Sequence, residues 1–242
     1  HYPLRRQRQM CIRDSRWYGL HELWDLMSDS SPVSNELRQV AASILADLLT
    51  WTHCATQRQP MLLRCVVQLE TGHSVPQTLR LVRAMLASFP IKARKKMDSV
   101  AAVLEKLDEQ HGLLRVFFSE FLRYHEAAAG RLEELTAAVD TESAALASAS
   151  PVSRRTASPA VPRSAGAARS SPRPADATIR AARAEHMEQL GHRINFLNFC
   201  VVSAALTLTQ EQLDVLWDRC VVHSITAGER DLIFRWVQPV PP

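Results

Sequence analysis

Cysteine and histidine are the residue types in this sequence that could support nucleophilic or metal chemistry. The densest grouping of the two types is His53, Cys54, Cys65 and His73. These four could form a zinc site on paper, but their spacing matches no standard ligand pattern and crosses predicted helix ends. Cys54 cannot use His53 as a base, because neighbouring residues of a helix point about 100° apart. The grouping therefore favours structural packing, and we predict no metal and no cofactor.

The remaining sequence offers no alternative catalytic motif. Phosphate-binding loops, HExxH, GxSxG and GxGxxG are absent, and the chain has only seven glycines. Cys54, Cys65, Cys200 and Cys220 each lie in or at the end of an apolar helical run, which is typical of reduced thiols packed in a core. We therefore predict no catalytic residue and a cytoplasmic protein.

The formal net charge of +4 comes from the N-terminal residues and from a basic internal segment at residues 141–178. RRQRQMCIRDS at residues 5–15 resembles a translated transposase adapter from sequencing libraries, so residues 1–15 are interpreted as adapter-derived and non-native. Without these two segments the chain is mildly acidic. This excludes the basic surface typical of nucleic-acid-binding proteins, and we expect no nucleic-acid partner.

The elements that position these residues are predicted to be helices. Apolar residues at Leu37, Val40, Ala41, Ile44, Leu45 and Leu48 form the clearest helical stripe. No run alternates as a strand does, so the predicted fold class is all-α. The first of the predicted helices begins at Ser31 or Ser34. The second has Pro60 in its first turn and ends at Gly72, and the third follows Ser74. Three longer helices are predicted at about residues 93–110, 113–138 and 179–205.

A low-complexity segment at residues 141–178 separates two helical parts, at residues 16–140 and 179–242. In it, 29 of 38 residues are Ala, Ser, Pro or Arg. Such a composition buries too little surface to offset chain entropy, so we expect a disordered linker. Ser150, Ser158 and Ser171 precede prolines and are candidate phosphorylation sites. The alternatives are a plain spacer, which we favour, or a weak contact with RNA or another anionic surface.

The block LTLTQEQLDVLWDRCVVHSITAGERDLIFRWV, residues 206–237, predicts a pair of helices. Thr209 with Gln212, and Thr226 with Glu229, have the spacing of capping boxes. We expect one helix to place Leu213, Leu216, Trp217 and Cys220 on a single face, and the other to do the same with Leu232, Ile233 and Trp236. Trp217 and Trp236 are therefore expected in the core.

This block, with RINFLNF at Arg193–Phe199, resembles the helical region outside the catalytic domain of the fat-facets-type ubiquitin carboxyl-terminal hydrolases. The same family region is resembled more loosely by GLHELWDLMSDSSPVSNELRQVA at Gly19–Ala41. The resemblance implies antiparallel helical hairpins stacked as an armadillo- or HEAT-like solenoid fragment. The Gly- and Asn-containing cysteine box and the Gly-His-Tyr box of the family's protease domain do not occur here.

We therefore expect a non-catalytic scaffold or recognition segment of a large cysteine-type deubiquitinase, whose catalytic domain lies outside this sequence. Its expected partners are proteins, either substrates or adaptors of the parent enzyme, with no small-molecule ligand. No stretch approaches the ~18 apolar residues of a membrane span, so we expect a soluble chain with no membrane partner. The alternative is a free-standing helical-repeat adaptor for protein–protein interactions, unrelated to ubiquitin.

Overall fold

The computed structural model describes residues 19–28, 32–50, 55–88, 99–149, 174–204 and 206–237. All regular elements in these ranges are helices, which confirms the all-α prediction. Residues 19–27 form α1. The others are α2 (Asn35–Thr50), α3 (Ala55–Thr71), α4 (Val75–Ala87), α5 (Val100–His111), α6 (Leu113–Ala149), α7 (Pro174–Ala204), α8 (Gln210–Trp217), a π-helix (Asp218–Val222) and α9 (Ala227–Val237).

Local signals fix several helix ends. The Ser34 Oγ accepts a hydrogen bond from the Leu37 amide at 3.3 Å, as expected of an N-cap. The Ser99 side chain does the same for Ala102. Gly112 ends α5 in the left-handed conformation (φ 61°), and its amide donates to the Asp108 carbonyl.

Two predicted helix starts are wrong. The helix expected to begin with Pro60 in its first turn starts at Ala55, so Pro60 lies in the second turn of α3. The helix expected from Ala93 begins at Val100, because Ser99 has an extended backbone and caps the first turn.

A single hydrophobic core draws on both predicted helical parts of the sequence. Phe117 and Phe121 of α6 are fully buried, together with Phe196 and Leu197 of α7. The Phe117 and Phe196 ring centroids are 5.6 Å apart although the residues are far apart in sequence. In these turns of α7 the exposed residues are Asn195, Asn198 and Val202, which share one face, and the opposite side of the helix packs in the core.

The stripe predicted on α2 is only partly correct. Its buried residues are Ala41, Ala42, Leu45 and Leu49. The other edge of the same apolar face, with Leu37, Val40 and Ile44, stays exposed. The apolar face is wider than the surface that the neighbouring helices cover, so the spacing predicted the helix correctly but overestimated its buried side.

The long helices α6 and α7 extend into the segment predicted as a linker. α6 continues to Ala149 and α7 begins at Pro174. The chain divides into two compact units, one of residues 1–125 with 189–242 and the other of residues 126–188. In the second unit, Leu132 and Ala182 are buried, and Arg131 pairs with Glu185 at 2.6 Å on the surface.

The C-terminal helices differ from their predicted packing. Leu216 and Cys220 are buried, but Leu213 and Trp217 are exposed, so the four residues do not share one buried face. The turn of π-helix from Asp218 to Val222 follows Trp217 directly and holds Cys220 in the core. On α9, Ile233 is buried while Leu232 and Trp236 pack partly against the core, as expected. None of the described helices is both long and apolar enough to cross a membrane.

Candidate functional site

Three cysteine thiols are described, and all three are buried. Burial raises the pKa of Cys200 to about 12, with a smaller contribution from Asp108. Burial likewise raises the pKa of Cys220 to about 12, aided by Glu229, and raises the pKa of Cys65 even further. Because the thiolate is the nucleophilic form, these thiols have neither the protonation state nor the access that nucleophilic catalysis needs.

The structure describes only some of the candidate site residues predicted from the sequence. Of the four residues that could form a zinc site, the structure describes Cys65, which is buried in α3, and His73, which is exposed after that helix. His53 and Cys54 lie outside the described residues. The candidate phosphorylation sites Ser150, Ser158 and Ser171 also lie outside them.

A buried ion pair between Glu120 and Arg193 joins α6 to α7. The Arg193 guanidinium donates to both carboxylate oxygens, through Nε at 3.1 Å and a terminal nitrogen at 2.5 Å. Arg193 also lies over the Tyr124 ring, 3.7 Å from its centroid, and donates to the Gln189 carbonyl. Its donors and its flat face are thus used internally, which makes it a structural residue.

A second buried polar contact joins α6 to the start of α9. The His125 Nε2 and Glu229 Oε2 lie 3.1 Å apart, and both side chains are buried. The other oxygen of Glu229 accepts from the Thr226 amide at 2.7 Å, which is the reciprocal half of the predicted capping box. The sequence signal for this cap was therefore correct, but it did not reveal the histidine contact.

At Thr209, the predicted capping box is confirmed in full. The Thr209 hydroxyl accepts from the Gln212 amide at 3.3 Å, and the Gln212 side chain accepts from the Thr209 amide at 2.9 Å. These caps set where α8 and α9 begin.

The α8–α9 patch is an exposed apolar surface formed by Leu213, Trp217, Phe234 and Val237. Trp217 and Phe234 are 49% and 45% exposed, and their rings meet edge to face with centroids 6.0 Å apart. Leu213 lies one turn from Trp217, and Val237 one turn from Phe234, so each helix adds a second apolar residue on that side. The sequence placed Trp217 in the core because four-residue spacing alone does not tell which face of a helix is covered.

The α2 stripe, formed by Leu37, Val40 and Ile44, is a second exposed apolar surface. The three side chains are 45%, 52% and 44% exposed and recur at i, i+3 and i+7 along one helix. Glu36 and Asp47 border the stripe on its outer edge and are exposed. Contiguous exposed apolar side chains with a polar border are typical of interaction surfaces.

Comparison with protein families gives a match for the C-terminal part of the chain. Residues 159–240 match the UBP24/USP9X/USP9Y ARM repeat family. The match covers about a third of the chain and includes α7, α8, the π-helix and α9. Neither curated proteins nor solved structures gave a match. Residues 159–240 are therefore similar to the ARM repeat region of these ubiquitin-specific proteases, which supports an armadillo-like, all-α helical region in this part of the chain.

Proposed function

We propose that this chain is a scaffold that presents helical surfaces to protein substrates or adaptors of a large deubiquitinase, whose catalytic domain lies elsewhere. The observation that carries the proposal is the ARM repeat match over residues 159–240. Armadillo-type repeats stack into extended arrays whose surfaces bind other proteins. Recognition on such a surface would bring a substrate near the protease domain without any chemistry in this region.

The exposed apolar surfaces support this proposal. The α8–α9 patch lies within the matched region, and its Trp217 and Phe234 are residue types that supply large contact areas at protein interfaces. The buried thiols support a binding role over a catalytic one. The proposed location is the cytoplasm, where thiols stay reduced.

The test of the scaffold role is deletion of residues 19–237 from the parent deubiquitinase. We expect the deletion to leave hydrolysis of a small fluorogenic ubiquitin substrate unchanged and to lower removal of ubiquitin from cellular proteins. Ubiquitin remnants on lysines, quantified by mass spectrometry, would measure the second effect. A parent protein in which the protease nucleophile is replaced provides the reference for complete loss.

Two outcomes would contradict the proposal. Equal loss of both activities would mean that the region supports folding of the protease domain. An unchanged pattern of ubiquitin remnants would mean that this region does not select substrates. The reading frame of the source transcript can also be followed beyond residue 242. If it contains no protease domain, the free-standing helical adaptor is the correct alternative.

Direct catalysis can be tested on the purified chain. We expect no covalent product with ubiquitin carrying a C-terminal propargyl amide, because the described thiols are buried and protonated. An unfolded sample treated with iodoacetamide is the control that the thiols are chemically intact. A ubiquitin adduct on any cysteine of the folded chain would contradict the non-catalytic assignment.

A further inference from the structure

Helices α4 and α7 carry a basic surface, the α4–α7 surface, which consists of Arg80, Arg83, His192 and Asn195. Arg80 and Arg83 are the only charged residues of α4, and both are exposed. They lie three residues apart and therefore on the same face of the helix. The exposed apolar surfaces described above include neither of them.

Both arginines are held in place by side chains of α7. The Arg80 guanidinium lies 3.2 Å from the Nε2 of His192, and because a guanidinium can only donate, this ring nitrogen accepts. The Arg83 guanidinium lies over the Phe199 ring, 5.7 Å from its centroid. Neither contact supplies a negative charge, so the two guanidinium groups are positioned without being neutralised.

No carboxylate pairs with these two arginines. Among the residues that the structure describes, no carboxylate oxygen lies within 4.0 Å of either guanidinium. Arg193, by contrast, donates to both carboxylate oxygens of Glu120. Most N–H groups of Arg80 and Arg83 therefore stay available to a ligand.

Acidic residues are scarce along the surface. Helix α4 contains none, and α7 contains none from residue 189 to residue 204. The next acid along α7 is Glu188, one residue before that stretch. Asp108 of α5 adds to the effect of burial in raising the pKa of Cys200, so it lies near α7, but its Oδ1 accepts from the Leu114 amide at 2.7 Å. The surface therefore keeps a positive charge.

An acidic peptide segment has the geometry that fits this surface. In an extended segment, side chains at i and i+2 point to the same side, about 7 Å apart. The Cβ atoms of Arg80 and Arg83 are about 5–6 Å apart on their helix, and the long side chains cover the difference. Guanidinium groups form their strongest hydrogen bonds with planar anions such as carboxylates.

Asn195 adds a neutral hydrogen-bonding group to the surface. It lies three residues after His192 and four before Phe199, the two residues of α7 that hold the arginines, so it shares their side of the helix. Its side chain is exposed, and the amide can donate a further hydrogen bond to a bound segment.

We propose that the α4–α7 surface binds an acidic segment of a partner protein, in which two neighbouring carboxylates accept hydrogen bonds from Arg80 and Arg83. This inference rests on the proposed scaffold function and adds the chemistry of one partner. A protein segment fits better than a nucleic acid, because two arginines on an otherwise mildly acidic helical region are too few for a phosphate-binding surface. The contacts from α7 hold the guanidinium groups before a partner arrives, which lowers the entropy cost of binding.

The experiment is titration of the purified chain into a fluorescent peptide that carries Glu at alternate positions, followed by fluorescence anisotropy at low salt. We expect weak binding, with a dissociation constant on the order of 0.1–1 mM, because exposed charge pairs each contribute little. The same peptide with Gln in place of Glu should bind at least about tenfold more weakly. Binding of the Glu peptide should also weaken as salt rises, because the Debye length falls to about 3 Å at 1 M.

A double variant locates the binding site. Replacing both Arg80 and Arg83 by Gln should weaken binding of the Glu peptide at least about fivefold. The matched control removes the same charge from α9, through Gln in place of Arg230 and Arg235, which are both exposed. This control should bind the peptide as the unmodified chain does.

A second variant keeps both arginines and their contacts with α7. Asn195→Asp places a carboxylate beside the two guanidinium groups, where it competes with the peptide, and should weaken binding at least about threefold. Asn198→Asp adds the same charge to the same helix, but it lies about 100° around α7 from Phe199 and should weaken binding less. Circular dichroism would verify that each variant is folded.

Three results would overturn the proposal: equal binding of the Glu and Gln peptides, no binding of either, or an arginine variant that binds as its control does. Binding of an RNA oligonucleotide in place of the peptide, lost with the same two arginines, would assign the surface to nucleic acid and overturn it as well. A failure of the scaffold function is distinguishable, because the peptide is tested on the isolated chain and the deletion is tested in the parent enzyme.

Discussion

Glu120 and Arg193 form a two-point ion pair in the protein interior although they are 73 positions apart. Glu120 lies on α6 and Arg193 on α7, and both side chains are almost completely buried. In sequence, residues 150–173 of the predicted linker separate the two helices. The pair therefore fixes how the C-terminal part of the chain packs on the N-terminal part, around the shared aromatic core of Phe117 and Phe196.

Replacing Glu120 by Ala should cost about 3–5 kcal/mol of unfolding free energy, because it leaves the Arg193 charge buried without its carboxylate. Urea unfolding followed by circular dichroism measures the loss. Arg131→Ala is the control: its pair with Glu185 is more than half exposed and should contribute at most about 1 kcal/mol. Equal effects of the two substitutions would contradict the structural role of the buried pair.

Leu216 and Trp217 are adjacent but should respond differently to substitution. Leu216→Asp places a charge in the core and should cost at least about 3 kcal/mol. Trp217→Ala should cost about 1–2 kcal/mol, since the ring is half exposed and its main contact is Phe234. Denaturant midpoints of the two variants provide the comparison, and equal losses would place Trp217 in the core after all.

Gly72 should not tolerate a side chain. Its φ is 77°, a left-handed conformation that strains any residue with a side chain, and a Cβ built there would also contact the guanidinium end of Arg123. Gly72→Ala should therefore destabilise the chain by more than about 1 kcal/mol. Gly191→Ala is the opposite control, because Gly191 is inside α7 with open space around its Cβ; it should stabilise by about 0.5–1 kcal/mol. Thermal unfolding of both variants measures these changes. A Gly72→Ala variant that unfolds at a higher temperature than Gly191→Ala would contradict the prediction.

The buried thiols should make the protein less stable at high pH. Their pKa values in the folded chain are raised from 9.0 to about 12 for Cys200 and Cys220, so the folded state keeps protons that the unfolded state loses. This stability is fully present below pH 9 and is lost as pH rises toward 12, by at most about 1.4 kcal/mol per pH unit for each thiol.

The measurement for this prediction is urea unfolding at pH 8 and at pH 10.5. A variant with Cys200→Ala and Cys220→Ala should lose less stability between these two values than the unmodified chain, whatever its stability at pH 8. The comparison between variants cancels the titration of lysines and tyrosines. Parallel pH profiles would show that these thiols do not contribute.

The sequence alone determined the helical character of the chain and several helix ends. Capping residues such as Ser34 and Thr209 act within one turn, so their spacing was sufficient to predict the hydrogen bonds found in the structure. The resemblance carried by the C-terminal block also predicted the family that matches residues 159–240. The start of α5 was misjudged, because apolar periodicity does not mark where a helix begins.

Only the tertiary structure decided which apolar faces are covered. Helical spacing made Leu37 and Leu45 equivalent, and likewise Leu216 and Trp217, but one residue of each pair is buried and the other exposed. Burial depends on the position of neighbouring helices, and that position follows from contacts between distant residues, such as Glu120 with Arg193 and His125 with Glu229. These long-range contacts have no local signal in the sequence, so the exposed apolar surfaces could be found only in the tertiary structure.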